Sequence, residues 1–237
     1  MLLPFVQLDL PGLIGLPDGR YLAREGEREQ VLIVEAFGAP KPPGRLQRRT
    51  RPAHADPDDA VPVTRVSVTL AERFESETEA VRWLEATAGD AAKRAAEVRA
   101  AVRVVNRALN ALRAAARDPL VQDIGATRAL AVRVGFGSGD ELIEGRWQQA
   151  RELSPPRRGR LDDIDPQSRV AAVLSGRDRV HPSETLLERA RLDIEQDRPG
   201  EARHGLRAAR AALEDSPEGA PSDLAERIAE AEQRLDR

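Results

Sequence analysis

One stretch, residues 90–118, limits what this chain can fold into. Its larger apolar side chains fall at Val98, Val102, Val105, Leu109 and Leu112. Steps of four and three place them on a single stripe of an α-helix, and the alternation of a half-buried strand cannot accommodate them. At 1.5 Å per residue, a helix of this length spans roughly 40 Å, the width of a small domain. Asp90 is placed to cap its first turn, and Asp118-Pro119 to end it, because the residue before a proline is pushed out of the α region. The seam lasts about two or three heptads and is weak at Ala91 and Ala95. The helix is therefore expected to cross a sheet of its own subunit, not to pair as a coiled coil.

That sheet has to come from both sides of the helix. Residues 3–37 read as a small antiparallel β unit. Pro17-Asp18-Gly19 is a turn signal, with Pro presetting φ and Gly accepting φ > 0, and predicts a hairpin between 13–16 and 20–23. Val31-Leu32-Ile33-Val34 suits a strand covered on both faces. Residues 63–71 alternate, with Val66, Val68 and Leu70 on one face and Arg65, Ser67 and Thr69 on the other. Residues 127–136 form another strand, with Leu130, Val132, Val134 and Phe136 on one face. Between them, Ser76 and Glu79 have capping-box spacing and open a short helix with a stripe of Ala80, Trp83 and Leu84, stopped at Gly89.

After the last strand the pattern predicts a helix over 141–153 interrupted near Gly145, and then only helices. These are 166–174, 184–197 capped by Ser183, 199–214, and 223–235 with Leu224, Ile228, Ala231 and Leu235 on one side. The expected fold is α+β: a small, mostly antiparallel sheet packed on a long helix, followed by an all-helical C-terminal module. Residues 1–153 form the first domain, 154–160 a basic linker with Pro155 and Pro156, and 161–237 the second.

Residues 39–62 stand apart. Prolines 40, 42, 43, 52 and 57 accompany a basic patch of Arg45, Arg48, Arg49 and Arg51, then Asp56, Asp58 and Asp59. Such a segment buries too little apolar surface to offset its ordering entropy, so it reads as a mobile loop.

Composition removes several classes of function. Without cysteine there is no disulfide framework, thiol nucleophile or thiolate metal site. No uncharged apolar run approaches a membrane span, and the first residues lack a signal peptide, so a cytoplasmic protein is expected. A formal net charge of −3 gives no global attraction to nucleic acid or anionic membrane. Lysine occurs only at positions 41 and 93 among many arginines. With abundant Ala, Gly and Pro, this indicates a GC-rich, bacterial coding genome and not selection for guanidinium chemistry.

Residues 186–213 resemble one tetratricopeptide helix hairpin. The run from Ala190 through Pro199-Gly200 to Ala202 has the length that repeat shows between its small residues, and Leu206 and Ala209 fall at the next packing positions. Asp193 stands where the family usually has an aromatic residue, and Asp197 where it usually has glycine. No second copy follows at a 34-residue period. The resemblance implies a protein- or peptide-binding surface.

Chemistry-bearing candidates are few. Gly135, Gly137, Ser138 and Gly139 follow a strand, and freed N–H groups there would hold a phosphate; however, the spacing is not G-x-G-x-x-G, and Asp140 fits better as an N-cap. Arg99, Arg103, Asn106, Asn110, Arg113 and Arg117 share one flank of the long helix, either as a solvated face or as a ligand-binding edge. The basic stretches at 45–51 and 157–160 are the best case for nucleic acid, yet they lack interleaved aromatics and are partly neutralised by neighbouring aspartates. His54, His181 and His204 share no ligand spacing, and Asp162, Asp163 and Asp165 match no calcium loop, so neither metal nor cofactor is expected.

The leading expectation is a non-enzymatic interaction or scaffolding protein that binds a protein partner through its C-terminal helices. The alternative is a small-molecule or nucleotide-binding protein, an enzyme included, using the glycine stretch; nucleic-acid binding comes last. The sequence sets no oligomeric state.

Overall fold

Alternating strands and one long stripe build the first half of the chain. A computed structural model describes residues 1–26, 28–38, 62–70, 72–139, 142, 146–153 and 164–236. It divides into two compact units, Met1–Pro156 and Arg157–Arg237, each taken by itself below.

In the first unit, six strands form one sheet: β1 (Leu2–Pro11), β2 (Gly19–Glu25), β3 (Arg28–Phe37), β4 (Val63–Thr69), β5 (Ala131–Ser138) and β6 (Gln149–Leu153). Their order is β2-β3-β4-β1-β5-β6, and every neighbouring pair is antiparallel. Val6, Leu8 and Leu10 of the central strand join Val66, Val68, Val132, Val134 and Phe136 in a core closed by α1 (Glu77–Gly89) and α2 (Ala91–Ala116). From α2, Val98, Val102, Val105 and Leu109 enter that core, so the long helix does pack on the sheet of its own chain. The α+β expectation holds, and the sheet is antiparallel throughout.

Asp90 caps α2 as expected, accepting from the N–H groups of Ala92 (2.8 Å) and Lys93 (3.2 Å). The helix ends earlier than the proline rule suggests, at Ala116, with Arg117 in the left-handed region at φ 54°. Ser76 caps α1 through the Glu79 N–H, while the Glu79 carboxylate reaches back to the N–H of Glu75.

Three local expectations are corrected. No hairpin closes at Pro17-Asp18-Gly19, because Gly12 and Gly15, both at positive φ, turn residues 12–16 away from the sheet. The turn residues fasten β2 and β3 instead: Tyr21 donates to the Pro17 carbonyl, and the Asp18 carboxylate accepts from the N–H of Ala36. The strand expected over 127–136 begins at Ala131, after a 3₁₀ turn, and runs through Ser138; Leu130 is left 59% exposed. The helix predicted over 141–153 is overturned at its end, since Gln149–Leu153 is strand β6, paired with β5 from Phe136↔Gln149 to Val132↔Leu153. Residues 39–61 of the mobile loop expected over 39–62, the linker 154–160 and the Asp140 cap lie outside the described residues.

The second unit consists, in its described residues, of α3 (Ile164–Leu174), α4 (Pro182–Glu195), α5 (Pro199–Asp215) and α6 (Leu224–Leu235). Its core is small: Leu187, Ala190, Leu206, Ala209, Leu224, Ile228 and Ala231. Helices α4 and α5 approach so closely that a Cβ on Gly205 would lie 2.9 Å from that of Ala190. Asp193, at the position where an aromatic is usual in the hairpin it resembles, is 4% exposed and ion-paired at 2.8 Å with Arg198 in the α4–α5 turn. Asp197 takes the left-handed conformation (φ 55°) that the usual glycine would adopt. The cap of α4 is His181, not Ser183; the Ser183 hydroxyl is buried and donates to the Ala209 carbonyl.

Candidate functional site

In its described residues the glycine stretch is mostly strand. Gly135, Gly137 and Ser138 lie in β5, opposite Phe5, Leu3 and Leu2 of β1, and Gly139 follows the end of the strand. Gly135 is paired on both edges, since Ala150 of β6 lies opposite it as well. Its glycine character serves packing. A Cβ there would come within 2.4 Å of the Gln149 carbonyl oxygen and 2.8 Å of the Phe5 ring. Anion binding needs converging free N–H groups, and a paired strand directs them into its ladders.

The polar flank of α2 divides in two. Arg99 and Arg103 are exposed. Asn106 is 1% exposed; its amide donates to the Ile124 carbonyl (3.0 Å) and accepts from the Ile124 N–H (2.7 Å). Arg113 donates to the Val121 carbonyl, to Asp123 at 2.8 Å and to the Asn110 side chain at 3.0 Å. Asn106 and Arg113 thus bind the chain that returns from the helix end, at 121–124, and Asn110 braces Arg113. Their partners are backbone and side-chain groups of the same unit.

The face of the sheet turned away from the helices holds a cluster assembled from three distant strands. Asp9, 8% exposed, is gripped by Arg65 Nε (2.7 Å) and Arg133 Nη1 (2.8 Å). Gln7, beside it, donates to the Ser67 hydroxyl and accepts from Arg133. The other arm of Arg133 reaches Glu152, and the Arg65 guanidinium lies 5.1 Å from the Phe37 ring centre. Burial alone would push the Asp9 carboxyl up; the hydrogen bonds and charges of Arg65 and Arg133 together outweigh it, and the group titrates below the usual carboxylate range. Sequence reasoning missed this cluster, although each strand carried a sign of it: Gln7 and Asp9 alternate with Val6, Leu8 and Leu10, and Arg133 sits between Val132 and Val134. Acid and base match within the cluster, which makes it a cross-strand clasp.

The second unit differs. Helix α3 ends in a glycine cap, with Gly176 at φ 73° and the N–H of Arg177 bonded back to the Ala172 carbonyl. The chain then runs extended to His181, whose ring fastens the start of α4. Its Nδ1 accepts from the Ser183 N–H, so the proton is on Nε2, which donates to the Ser216 carbonyl at 2.7 Å. Glu184 accepts from the His181 N–H and receives both arms of Arg169 at 2.7 Å. That fork holds the Glu184 carboxyl below its ordinary range against the opposing effect of burial. Asp178 adds a third contact to Arg169, at 3.2 Å.

Ionic contacts therefore tie α3 to the bundle, while its apolar side is left open. Leu174 is 83% exposed, Val170 56% and Val180 51%. With Pro166, Arg169 and Val173 they line a groove of 540 Å³. Isolated exposed aliphatics are ordinary; here three of them lie together along α3 and the segment after it. The cleft of 370 Å³ in the first unit, between 10–15 and 118–128, is more polar, and its Asp123 is already engaged by Arg113. Among the described residues no group of His, Asp or Glu is placed to hold a metal ion, and no helix is long and apolar enough to cross a membrane. Comparison with known protein families, with curated proteins and with solved structures finds no match to this chain.

Proposed function

We propose that this is a protein-interaction protein whose C-terminal helices bind another protein, without catalysis of their own. The observation that carries the reading is the groove on α3, where Val170, Leu174 and Val180 remain exposed although Arg169 is ion-paired with both Glu184 and Asp178. The resemblance of the α4–α5 hairpin to a tetratricopeptide unit supports the same class of function. Helix-in-groove recognition reads i, i+4 and i+7 anchors, and Pro166, Val170, Val173 and Leu174 present that spacing.

The test uses the full chain as bait in a cell extract beside V170E/L174E, a variant that charges the groove without touching the core. The expected result is a specific co-purifying protein that the variant no longer retains, with unchanged circular dichroism and melting temperature. Retention of the same proteins by both forms would overturn the reading.

A further inference from the structure

We propose that the outward face of α2 binds the phosphate backbone of duplex DNA without regard to sequence, a function independent of the α3 groove. The helix carries Lys93, Arg94, Arg99, Arg103, Arg107 and Arg113, and its one acid, Glu97, is half-buried. Arg113 is engaged by Asp123 and the Val121 carbonyl, Arg94 donates to the Ala88 carbonyl, and Lys93 has the charge of the capping Asp90 beside it. Arg99, Arg103 and Arg107 are exposed, and among the described residues no carboxylate pairs with any of them. The remaining exposed positions of α2 are alanines, Ala96, Ala111 and Ala114 among them. A GC-rich genome accounts for arginine in place of lysine, but it does not remove acids from one face. Elsewhere the chain supplies them: Arg189 meets Asp193, Arg191 meets Glu188 and Arg227 meets Asp223, each on its own helix. On α2 the residue one turn from Arg103, in either direction, is another arginine, and like charges at that spacing repel.

Charge complementarity therefore calls for an anion, and the make-up of the face selects which one. Steps of four residues set the arginines about 6 Å apart along the axis, so the three span about 12 Å. Duplex DNA presents a charge about every 1.7 Å of its length, and alanine between the arginines leaves the approach clear. A protein partner would need aromatic or large aliphatic anchors at the centre of its interface, and the face has none. An anionic membrane takes a helix through Trp, Phe or Leu beneath its charges, equally lacking here. Single strands are held by stacking on aromatics, and RNA duplexes are recognised partly through 2′-hydroxyls, for which the exposed face offers no hydroxyl or amide side chain. Guanidinium on DNA phosphate is what the face can supply, and such contacts position a duplex without reading its bases.

The experiment follows binding of the full chain to a labelled DNA duplex of about 20 base pairs by fluorescence anisotropy, over a salt series. Three phosphate contacts predict that log K falls with log salt at a slope of about −3, alike for two unrelated sequences. R99A/R103A/R107A places good helix formers at exposed positions, and circular dichroism verifies its folding. It should bind at least about tenfold more weakly at the lowest salt and lose most of the slope, and R103A alone should lower the slope by about one. V170E/L174E and a variant of the other basic stretch, R45A/R48A/R49A, should bind as the native chain does. No binding at the lowest salt, a native slope near zero, or full binding by R99A/R103A/R107A would overturn the proposal. So would loss of binding in R45A/R48A/R49A instead, or tighter binding of an RNA duplex or of phosphatidylserine vesicles than of DNA.

Discussion

The two units treat their polar residues in opposite ways. In the first, charged and amide groups face inward onto their own chain. Asn106 and Arg113 bind the 121–124 return, and Asp9 sits between two guanidiniums of neighbouring strands. In the second, the core is a short set of leucine, isoleucine and alanine side chains, and the ionic fork of Arg169 on Glu184 holds a helix whose aliphatic side faces outward. Polar groups satisfied internally give a unit rigidity and offer little for a ligand to engage. A unit that leaves valine and leucine exposed around a groove sacrifices some solubility for a surface that a partner can cover. The difference is what supports the proposal that places a protein interaction in the second unit.

The comparison breaks first at Gly135. Replacing it with valine puts a side chain into the Gln149 and Ala150 backbone and the Phe5 ring, none of which can move cheaply. G135V should cost about 3 kcal/mol or more in urea denaturation. A neutral result would mean that the β5–β6 approach is looser than the structure shows.

Next comes N106A. It leaves the buried N–H and C=O of Ile124 unpaired, at about 3 kcal/mol for the two groups together. The same variant should leave partner capture by α3 intact, as measured by the bait experiment; loss of capture would return the α2 flank to the list of binding surfaces.

In the second unit, E184Q removes one charge of the Arg169 fork and should cost about 2 kcal/mol. This is less than for a fully buried pair, since the Arg169 side chain is 42% exposed and solvent screens it. The pH dependence follows from the sign of the shift. Glu184 titrates lower when folded than when unfolded, so its contribution is complete above its unfolded value, about 4.3, and is lost as pH falls through the folded value. The stability curves of the native chain and E184Q should therefore converge in acid and separate at neutral pH. Parallel curves would show that the fork contributes no net charge stabilisation.

The smallest effect has the opposite sign. Glu97, on α2, is raised by burial and by the neighbouring charge of Glu72. Its ionised form therefore costs stability at neutral pH, and the cost vanishes once pH falls below the unfolded value. E97Q should stabilise the chain by at most about 0.5 kcal/mol at pH 7, with no gain near pH 4, read from melting temperatures.

The sequence alone determined what depends on spacing. The stripe from Val98 to Leu109 specified the long helix and its buried face, because positions three and four apart meet on one side of any α-helix. The alternation of Val66 and Val68 with Arg65 and Ser67 fixed a strand and the direction of each side chain for the same kind of reason. Asp90 and the Ser76–Glu79 pair announced helix starts, since a cap is a contact within a few residues. What only the tertiary structure decided was every pairing across long sequence distance. Whether Gly135-Phe136-Gly137 is loop or strand depends on β6 arriving beside it, and β6 itself carried a pattern that also reads as helix. Asn106 and Arg113 looked like a solvated flank until the 121–124 segment folded back onto them. The Asp9 clasp joins residues 56 and 124 positions apart, which no local window contains. The exposure of Val170 and Leu174 was likewise undecidable from their spacing. An amphipathic helix declares that it has an apolar face, and only the packed chain shows that no described residue of its own unit covers it.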